Sequence, residues 1–167
     1  MILIIKLIYF MLPTYFANMA PVFGRFVFKR FNHPISKRFC GEHKTWKGLI
    51  LGVLAAIIIS FIQYKLNIQE LNLYNYNDWF LFGFLMGFGA LFGDALKSFF
   101  KRRFNINPGN PWIPFDQVDF VIGSLLFSSF IFFIGWINTF IIIIISFLLH
   151  IITNHVAYYL RIRNEKW

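Results

Sequence analysis

Long apolar stretches separated by short charged segments dominate the sequence. Residues 7–24 contain no charge over 18 positions, close to the roughly 20 residues that a helix needs to cross about 30 Å of hydrocarbon. A second apolar run covers Trp46 to about Leu66, and a third begins at Trp79 and reaches charge at Asp94. Each of these runs is predicted to be a transmembrane helix.

The last apolar run, residues 120–160, has 41 positions without Asp, Glu, Lys or Arg. At about 1.5 Å per residue, one helix of this length would be twice as long as the membrane is thick. The run is therefore predicted to form two helices with a turn near Gly135-Trp136-Ile137-Asn138. The predicted fold is an all-α integral membrane protein of about five transmembrane helices with cytoplasmic polar loops, in one domain over residues 1–167.

The first run could instead be a cleaved signal peptide. The segment Ala17-Asn18-Met19-Ala20-Pro21 is a poor small-residue cleavage site, and the chain stays hydrophobic after it. A first transmembrane helix is the better interpretation.

Composition excludes a soluble domain and gives the predicted topology. The chain is 58% hydrophobic and 14% charged, against about 25% charged in soluble domains. Its net charge of +9 does not indicate nucleic-acid binding, because the basic residues lie between apolar runs and not on one solvated face. All the basic residues except Lys6 and Lys65 fall in the first loop, the third loop or the tail. With five spans these three segments share one side of the membrane, and the positive-inside rule makes that side the cytoplasm. The predicted topology has the N-terminus outside and the C-terminus in the cytoplasm.

Cysteine and glycine add little chemistry. The single Cys40 excludes an internal disulfide, and no Cys or His spacing resembles a zinc site. The small residues Gly83, Gly87, Gly89 and Gly93 permit close helix contact in a bilayer, so they would allow a homodimer.

Acidic and basic residues are concentrated around the third loop. Lys97, Ser98 and Lys101 follow Asp94 at offsets of three, four and seven, which places all four on one helical face. An intrahelical ion pair at the membrane boundary would explain this face without any function. Pro114, however, can open a helix with two more acids on one face, Asp116 and Asp119.

Grouped carboxylates and cations near a bilayer suit phosphate chemistry. An isolated carboxylate near the bilayer has a high free energy, so it usually binds a partner. Acids can hold one or two Mg²⁺ ions, while lysines and arginines hold phosphate oxygens as charge accumulates on a leaving pyrophosphate. The first loop adds Lys44-Thr45-Trp46-Lys47-Gly48, which could also be a simple positive-inside cluster.

Several ordered segments resemble the CDP-archaeol synthases, which are relatives of the CDP-diacylglycerol synthases. The resemblance runs through most of the chain, and its five ordered elements plus the Lys-Thr-Trp segment are specific as a set. The chain departs at two positions, Lys47 in place of an acid and Gln117 in place of Arg, and both departures favour the archaeal branch. The matching segments are Asn18-Met19-Ala20-Pro21, Lys44 to Gly48, Gly93-Asp94 with Ser98, Lys101-Arg102-Arg103, Pro108-Gly109, Pro114, Asp116 to Asp119, Thr153-Asn154 with Tyr158, and Trp167.

The resemblance implies a reaction in which an isoprenoid ether-lipid phosphate attacks the α-phosphorus of CTP, with Mg²⁺ as cofactor. It implies Asp94, Asp116 and Asp119 as metal ligands, with Lys101 acting on phosphate. It further implies a set of residues that bind the nucleotide or support it: Asn18, Lys44, Thr45, Lys97, Ser98 and Arg102.

Three other functions stay open from the sequence. Phosphatidate could replace the ether lipid, since the lipid chemistry rests on resemblance alone. A CTP-dependent polyprenol kinase would share nucleotide, metal and membrane but release CDP. A small transporter or scaffold would need charges along a path through the bilayer, whereas here the charges gather on one side.

Overall fold

A computed structural model describes residues 2–27, 33–36, 44–107, 110–159 and 161. Over these residues the regular secondary structure is helical, and the only extended pairing is one bridge between Pro34 and Thr45. The predicted all-α fold is confirmed. Cys40, Pro108, Gly109 and Trp167 lie outside the described residues. The helices are α1 (Ile2–Val27), α2 (Trp46–Leu66), α3 (Trp79–Arg103), α4 (Phe115–Ser128) and α5 (Trp136–Tyr159), with a short 3-10 helix, Tyr76–Asp78, before α3.

Within the part of the chain that the structure describes, four segments are long and apolar enough to cross a membrane: Ile2–Val22, Trp46–Leu66, Tyr76–Arg103 and Trp136–Val156. The fourth helix is shorter. With 14 residues it extends about 21 Å at 1.5 Å per residue, and the Ser129 hydroxyl at its end donates to the Leu126 carbonyl at 2.6 Å. The chain is therefore multi-pass, with α4 too short to span by itself.

An irregular segment, residues 129–135, continues the path of α4 to the far end of the bundle. There the Phe132 ring lies 6.1 Å from that of Phe10 and 5.4 Å from that of Tyr74. These ring contacts hold the irregular segment against α1 and the loop before α3. The predicted division of the last apolar run into two helices is confirmed, and the connection includes Gly135 of the predicted turn. The connection begins earlier than predicted, at residue 129, and α5 already starts at Trp136.

Glycines bring α2, α3 and α4 together as antiparallel neighbours. A Cβ placed on Gly87 would lie 2.7 Å from the Cβ of Ala56 in α2, and one on Gly89 would lie 2.6 Å from the Gly123 carbonyl oxygen in α4. These contacts use small residues for close approach within one chain. The α3 glycines therefore do not form the exposed surface on which the predicted homodimer depended.

The first and third loops meet at one end of the bundle. A Cβ on Gly48 in α2 would lie 3.3 Å from the Pro21 Cβ in α1, and one on Gly93 in α3 would lie 2.2 Å from the Asp119 carbonyl oxygen in α4. The polar residues that flank these helices are thereby collected in one place.

Candidate active site

Lys97 lies at the centre of the polar end of the bundle. Its Nζ is 3.2 Å from Asp94 and 3.1 Å from Asp116. The same Nζ is 2.8 Å from Asp119, whose side chain is only 7% exposed. The predicted face of α3 thus meets both acids of α4 across the helix interface, as the sequence spacing suggested.

Lys101, one turn further along α3, holds the other side of Asp116. Its Nζ lies 3.1 Å and 3.2 Å from the two carboxylate oxygens of Asp116, and it donates to the Asn110 carbonyl at 2.5 Å. The backbone N–H of Trp112 also donates to Asp116, at 2.6 Å. These bonds tie the loop before α4 to the C-terminal end of α3.

Lys44 joins the site from the start of α2. It pairs with Asp94, fifty residues away in the sequence. Backbone pairing fixes its position, since the Ile35 N–H donates to the Lys44 carbonyl at 2.8 Å and the Trp46 N–H donates to the His33 carbonyl at 3.2 Å.

These contacts join three ammonium groups to three carboxylates in a continuous network. Positive and negative charges balance within it. Because the side chains are largely removed from water, these contacts are stronger than exposed surface pairs. We call this network the acid–lysine cluster; its members are Lys44, Asp94, Lys97, Lys101, Asp116 and Asp119.

The two carboxyls in the first turns of α4, outside the four candidate spans, respond differently to this environment. Burial alone would raise the pKa of Asp116, but Lys97, the Trp112 N–H and Lys101 together hold it below its usual range. For Asp119, burial outweighs the attraction of Lys97 and raises the pKa to about 6. Both groups are mainly ionised at neutral pH.

The close approach of α3 and α4 depends on Gly93. The space for its missing side chain is filled by the Asp119 carbonyl oxygen, and Gly123 stands on the opposite helix with a similarly short approach to Gly89. A side chain at either position would separate the helices. The glycine before Asp94 therefore sets the distance between the acids of α3 and α4.

Other predicted site residues have structural contacts. Thr45 is the N-cap of α2, and its hydroxyl accepts the Gly48 N–H at 3.1 Å. The Ser98 hydroxyl donates to the Asp94 carbonyl at 2.8 Å. The Arg102 guanidinium donates to the Ile106 carbonyl at 3.3 Å. These contacts place the three residues beside the cluster, and their roles toward a nucleotide stay predictions.

An apolar cavity of about 460 Å³ opens beside the cluster, between α1, the start of α2 and α3. Its volume lies in the range of about 300–1,000 Å³ that is usual for ligand sites. Asn18, Lys44 and Asp94 contribute polar groups to its lining, while Phe88 and Phe92 contribute aromatic rings. The cavity therefore connects a charged end to an apolar interior.

Sequence reasoning missed some of these participants. Trp112 acts through its backbone, so no side-chain pattern reveals it. Phe88 and Phe92 lie in a chain with 24 phenylalanines, many of them exposed, so composition does not distinguish them. Their spacing of four residues on α3 is the one signal that places them on a shared face.

The carboxylates were also predicted to hold a metal ion. Hard oxygen donors are the ligands that Mg²⁺ prefers, so Asp94, Asp116 and Asp119 suit it chemically. Across the described ranges, no group of three acidic, His or Cys side chains is arranged as a metal site. The three carboxylates instead surround the Lys97 ammonium.

Comparisons with known proteins place the chain in one family. Residues 1–167 match the family model described as CarS-like, CDP-archaeol synthase. The CDP-archaeol synthase of Methanocaldococcus jannaschii is 34% identical over 170 residues, which covers 96% of this chain and 95% of the relative. That of Archaeoglobus fulgidus is 34% identical over 177 residues, covering 99% of this chain and 98% of the relative.

A solved structure has the same architecture. It belongs to an intramembrane enzyme for archaeal membrane lipid biosynthesis, with a TM-score of 0.72, 26% identity, and coverage of 88% of this chain and 91% of that one. The match to the family model and to these relatives extends over nearly the full length of the chain. The chain therefore belongs to the CDP-archaeol synthase family.

Proposed function

We propose that this chain transfers CMP from CTP to the phosphate of 2,3-bis-O-(geranylgeranyl)-sn-glycerol 1-phosphate, giving unsaturated CDP-archaeol and pyrophosphate. Family membership supports this reaction. The observation that carries the proposal is that the acid–lysine cluster and the apolar cavity adjoin, with Lys44 and Asp94 belonging to both. An enzyme that joins a water-borne triphosphate to a membrane-borne phosphate needs both environments at one point.

The chemistry is a direct displacement at phosphorus. An oxygen of the lipid phosphate forms a bond to the α-phosphorus of CTP, while the bond from that phosphorus to the bridging oxygen breaks and pyrophosphate leaves with the electron pair. No covalent enzyme intermediate is required. The protein contributes positioning and charge stabilisation, which account for most of the catalysis in phosphoryl-transfer enzymes.

The lysines are assigned to phosphate oxygens. Lys44, at the cavity edge, is in position for the lipid phosphate, and Lys101 with Arg102 is in position for the triphosphate. Asn18, Thr45 and Ser98 provide neutral polar support at the cavity edge and the adjacent turns of α2 and α3.

The carboxylates are assigned to Mg²⁺. Asp94, Asp116 and Asp119 would hold it, directly or through water, and a bound divalent ion would neutralise charge on the triphosphate and the leaving pyrophosphate. The support for this assignment is the convergence of three acids within one cation's reach.

The cavity is assigned to the isoprenoid chains. Its aromatic lining suits hydrocarbon, and its polar end would leave the lipid phosphate beside Lys44. The protein would work as one transmembrane domain over residues 1–167, with the cluster at the cytoplasmic face, the N-terminus outside and the C-terminus inside. The basic loops at the cluster end of the bundle support this orientation.

The test is a product assay. The purified chain in detergent is incubated with CTP, Mg²⁺ and either the geranylgeranylated glycerol phosphate or phosphatidate, and pyrophosphate and CDP are followed separately. Lipid-dependent release of pyrophosphate with preference for the ether lipid is the expected result. Preference for phosphatidate would correct the lipid, release of CDP would indicate a kinase, and neither product from folded protein would favour a transporter or scaffold.

A further inference from the structure

Lys97 is bound in the acid–lysine cluster in the manner of a ligated cation. An ammonium group has three N–H donors, and one oxygen from each of three carboxylates lies 2.8–3.2 Å from its Nζ. Each acid thus has one oxygen within ion-pair distance of the same ammonium. The side chain is only 15% exposed, so the carboxylates provide most of its neutralisation. They belong to Asp94, Asp116 and Asp119.

A divalent ion bound directly by the three carboxylate oxygens that face Lys97 would need the position of its Nζ. Mg²⁺ binds oxygen at about 2.0–2.1 Å, about 1 Å closer than the ammonium–oxygen distances in this cluster. The acids would have to close around the ion, and two cations in the same few ångströms would repel each other strongly at low dielectric. Metal and ammonium are therefore alternatives in this space.

We propose that Lys97 is a built-in counter-ion that positions the three carboxylates before metal binds and is displaced when a divalent cation occupies them. The proposal rests on the metal assignment in the proposed function. In this role Lys97 sets the Mg²⁺ concentration at which the site loads, because binding must break three ion pairs as well as form new ones. The displaced ammonium is then free beside the site.

Lys101 provides a matched comparison on the same helix. It carries the same charge and also contacts Asp116, but its second partner is the Asn110 carbonyl and not another acid. Removing it lowers the positive charge near the carboxylates without emptying the central position. A difference in Mg²⁺ affinity between variants of the two lysines therefore depends on where the removed ammonium lies, and not on the loss of charge alone.

The first experiment is thermal unfolding of the full chain in detergent without CTP or lipid. Wild type, Lys97→Met and Lys101→Met are stripped with EDTA and titrated with MgCl₂, with KCl keeping the ionic strength constant. A ligand that binds the folded state raises the melting temperature, and its affinity sets the ligand concentration at which this rise becomes evident. We call that concentration the Mg²⁺ midpoint. Lys97→Met should melt lower than wild type in EDTA, because three partly buried carboxylates lose their shared cation.

In the same titration, the Mg²⁺ midpoint of Lys97→Met should be at least about tenfold lower than that of wild type, equivalent to about 1.4 kcal/mol. Lys101→Met should shift it by about threefold or less, because Lys101 contacts only one of the three carboxylates and lies outside the central position. Equal midpoints in wild type and Lys97→Met, a weaker midpoint in Lys97→Met, or no Mg²⁺ response in any of the proteins would overturn the proposal.

A second measurement uses wild type alone and does not depend on the folding of a variant. An amine-reactive reagent is applied in EDTA and in saturating Mg²⁺, and modification of each lysine is quantified by mass spectrometry. Lys97 should react at least about tenfold faster with Mg²⁺, because a displaced ammonium loses its carboxylate partners. Lys65, at the far end of α2 over the Phe61 and Tyr64 rings, should be unchanged. Unchanged or slower modification of Lys97 would contradict displacement.

Failure of this inference and failure of the proposed function are distinguishable, since neither measurement involves turnover. Wild type that releases pyrophosphate with lipid, but shows the same Mg²⁺ midpoint as Lys97→Met, would keep the function and reject the counter-ion role. A difference between the two Mg²⁺ midpoints, in a protein that releases no pyrophosphate, would keep the counter-ion role and reject the proposed function.

Discussion

Replacing Gly93 with alanine tests how far the site depends on the closeness of α3 and α4. The added Cβ would lie 2.2 Å from the Asp119 carbonyl oxygen, 3.0 Å from its carbonyl carbon and 3.3 Å from the Gly123 Cα. All three atoms belong to the backbone of α4, so no flexible side chain can move aside. The helices must separate.

The required displacement follows from these distances. Ordinary contact begins at 3.4 Å, so the oxygen must move by about 1.2 Å, the difference between 3.4 and 2.2 Å. A shift of that size carries Asp119 from 2.8 Å to about 4 Å from the Lys97 Nζ, which weakens the ion pair. Overpacking of this kind costs about 1–3 kcal/mol of stability, and a misplacement of about 1 Å in an active site can lower the rate about 100-fold.

The assay is lipid-dependent pyrophosphate release by Gly93→Ala at saturating CTP, together with its melting temperature. Gly83→Ala is the matched control, because its Cβ would meet the Ile57 Cα at 2.7 Å and the Ser60 Cβ at 2.9 Å at the far end of the same helix. Both variants should melt below wild type. Only Gly93→Ala should lose turnover, by about 100-fold, when measured below both melting temperatures.

A folded Gly93→Ala protein with the turnover of Gly83→Ala would refute this reasoning. It would mean either that α4 rotates without moving its carboxylates or that Asp119 has no part in the chemistry. Loss of turnover to the same extent in both variants would show that bundle stability, and not the local spacing of α3 and α4, controls the rate.

Three further perturbations address other parts of the site. Asp116→Asn removes the charge that two lysines and the Trp112 N–H surround, and should lower turnover at least about 100-fold while the protein still inserts; near-normal pyrophosphate release would contradict the assignment. Thr45→Ala removes the N-cap of α2 and should cost about 1 kcal/mol, seen as a lower melting temperature than that of Thr45→Ser, which keeps the hydroxyl. Val22→Trp should fill the cavity and raise KM for the lipid several-fold with KM for CTP unchanged; an equal rise for both substrates would argue against lipid in the cavity.

Helical spacing was enough to predict part of the cluster. Asp94, Lys97 and Lys101 share a face because the helix period is fixed, and Pro114 indicated the start of the helix that carries Asp116. These predictions depend on local geometry alone. The pairing of Lys44 with Asp94 depends instead on how α2 packs against α3, which no local pattern contains.

The position of Lys97 also depends on packing between helices, which the local sequence pattern does not contain. Its place among three acids is set by the backbone contact between Gly93 and Asp119, so a lysine for which the family resemblance implied nucleotide binding is found holding carboxylates. The end of α4 was missed for a different reason. Apolar residues continue through 129–135 whether the backbone is helical or irregular, and only Ser129 and the positive φ of Gly135, 84°, distinguish the break.

The ion pair between Lys97 and Asp119 has a consequence for biogenesis. Asp119 is almost fully buried, and the ammonium that neutralises it belongs to α3. Before α4 packs against α3, Asp119 has no ammonium beside it, and burying a carboxylate without such a partner is strongly unfavourable. Packing of α4 against α3 both neutralises and buries this group, so we expect the two helices to pair as a hairpin before the site is complete.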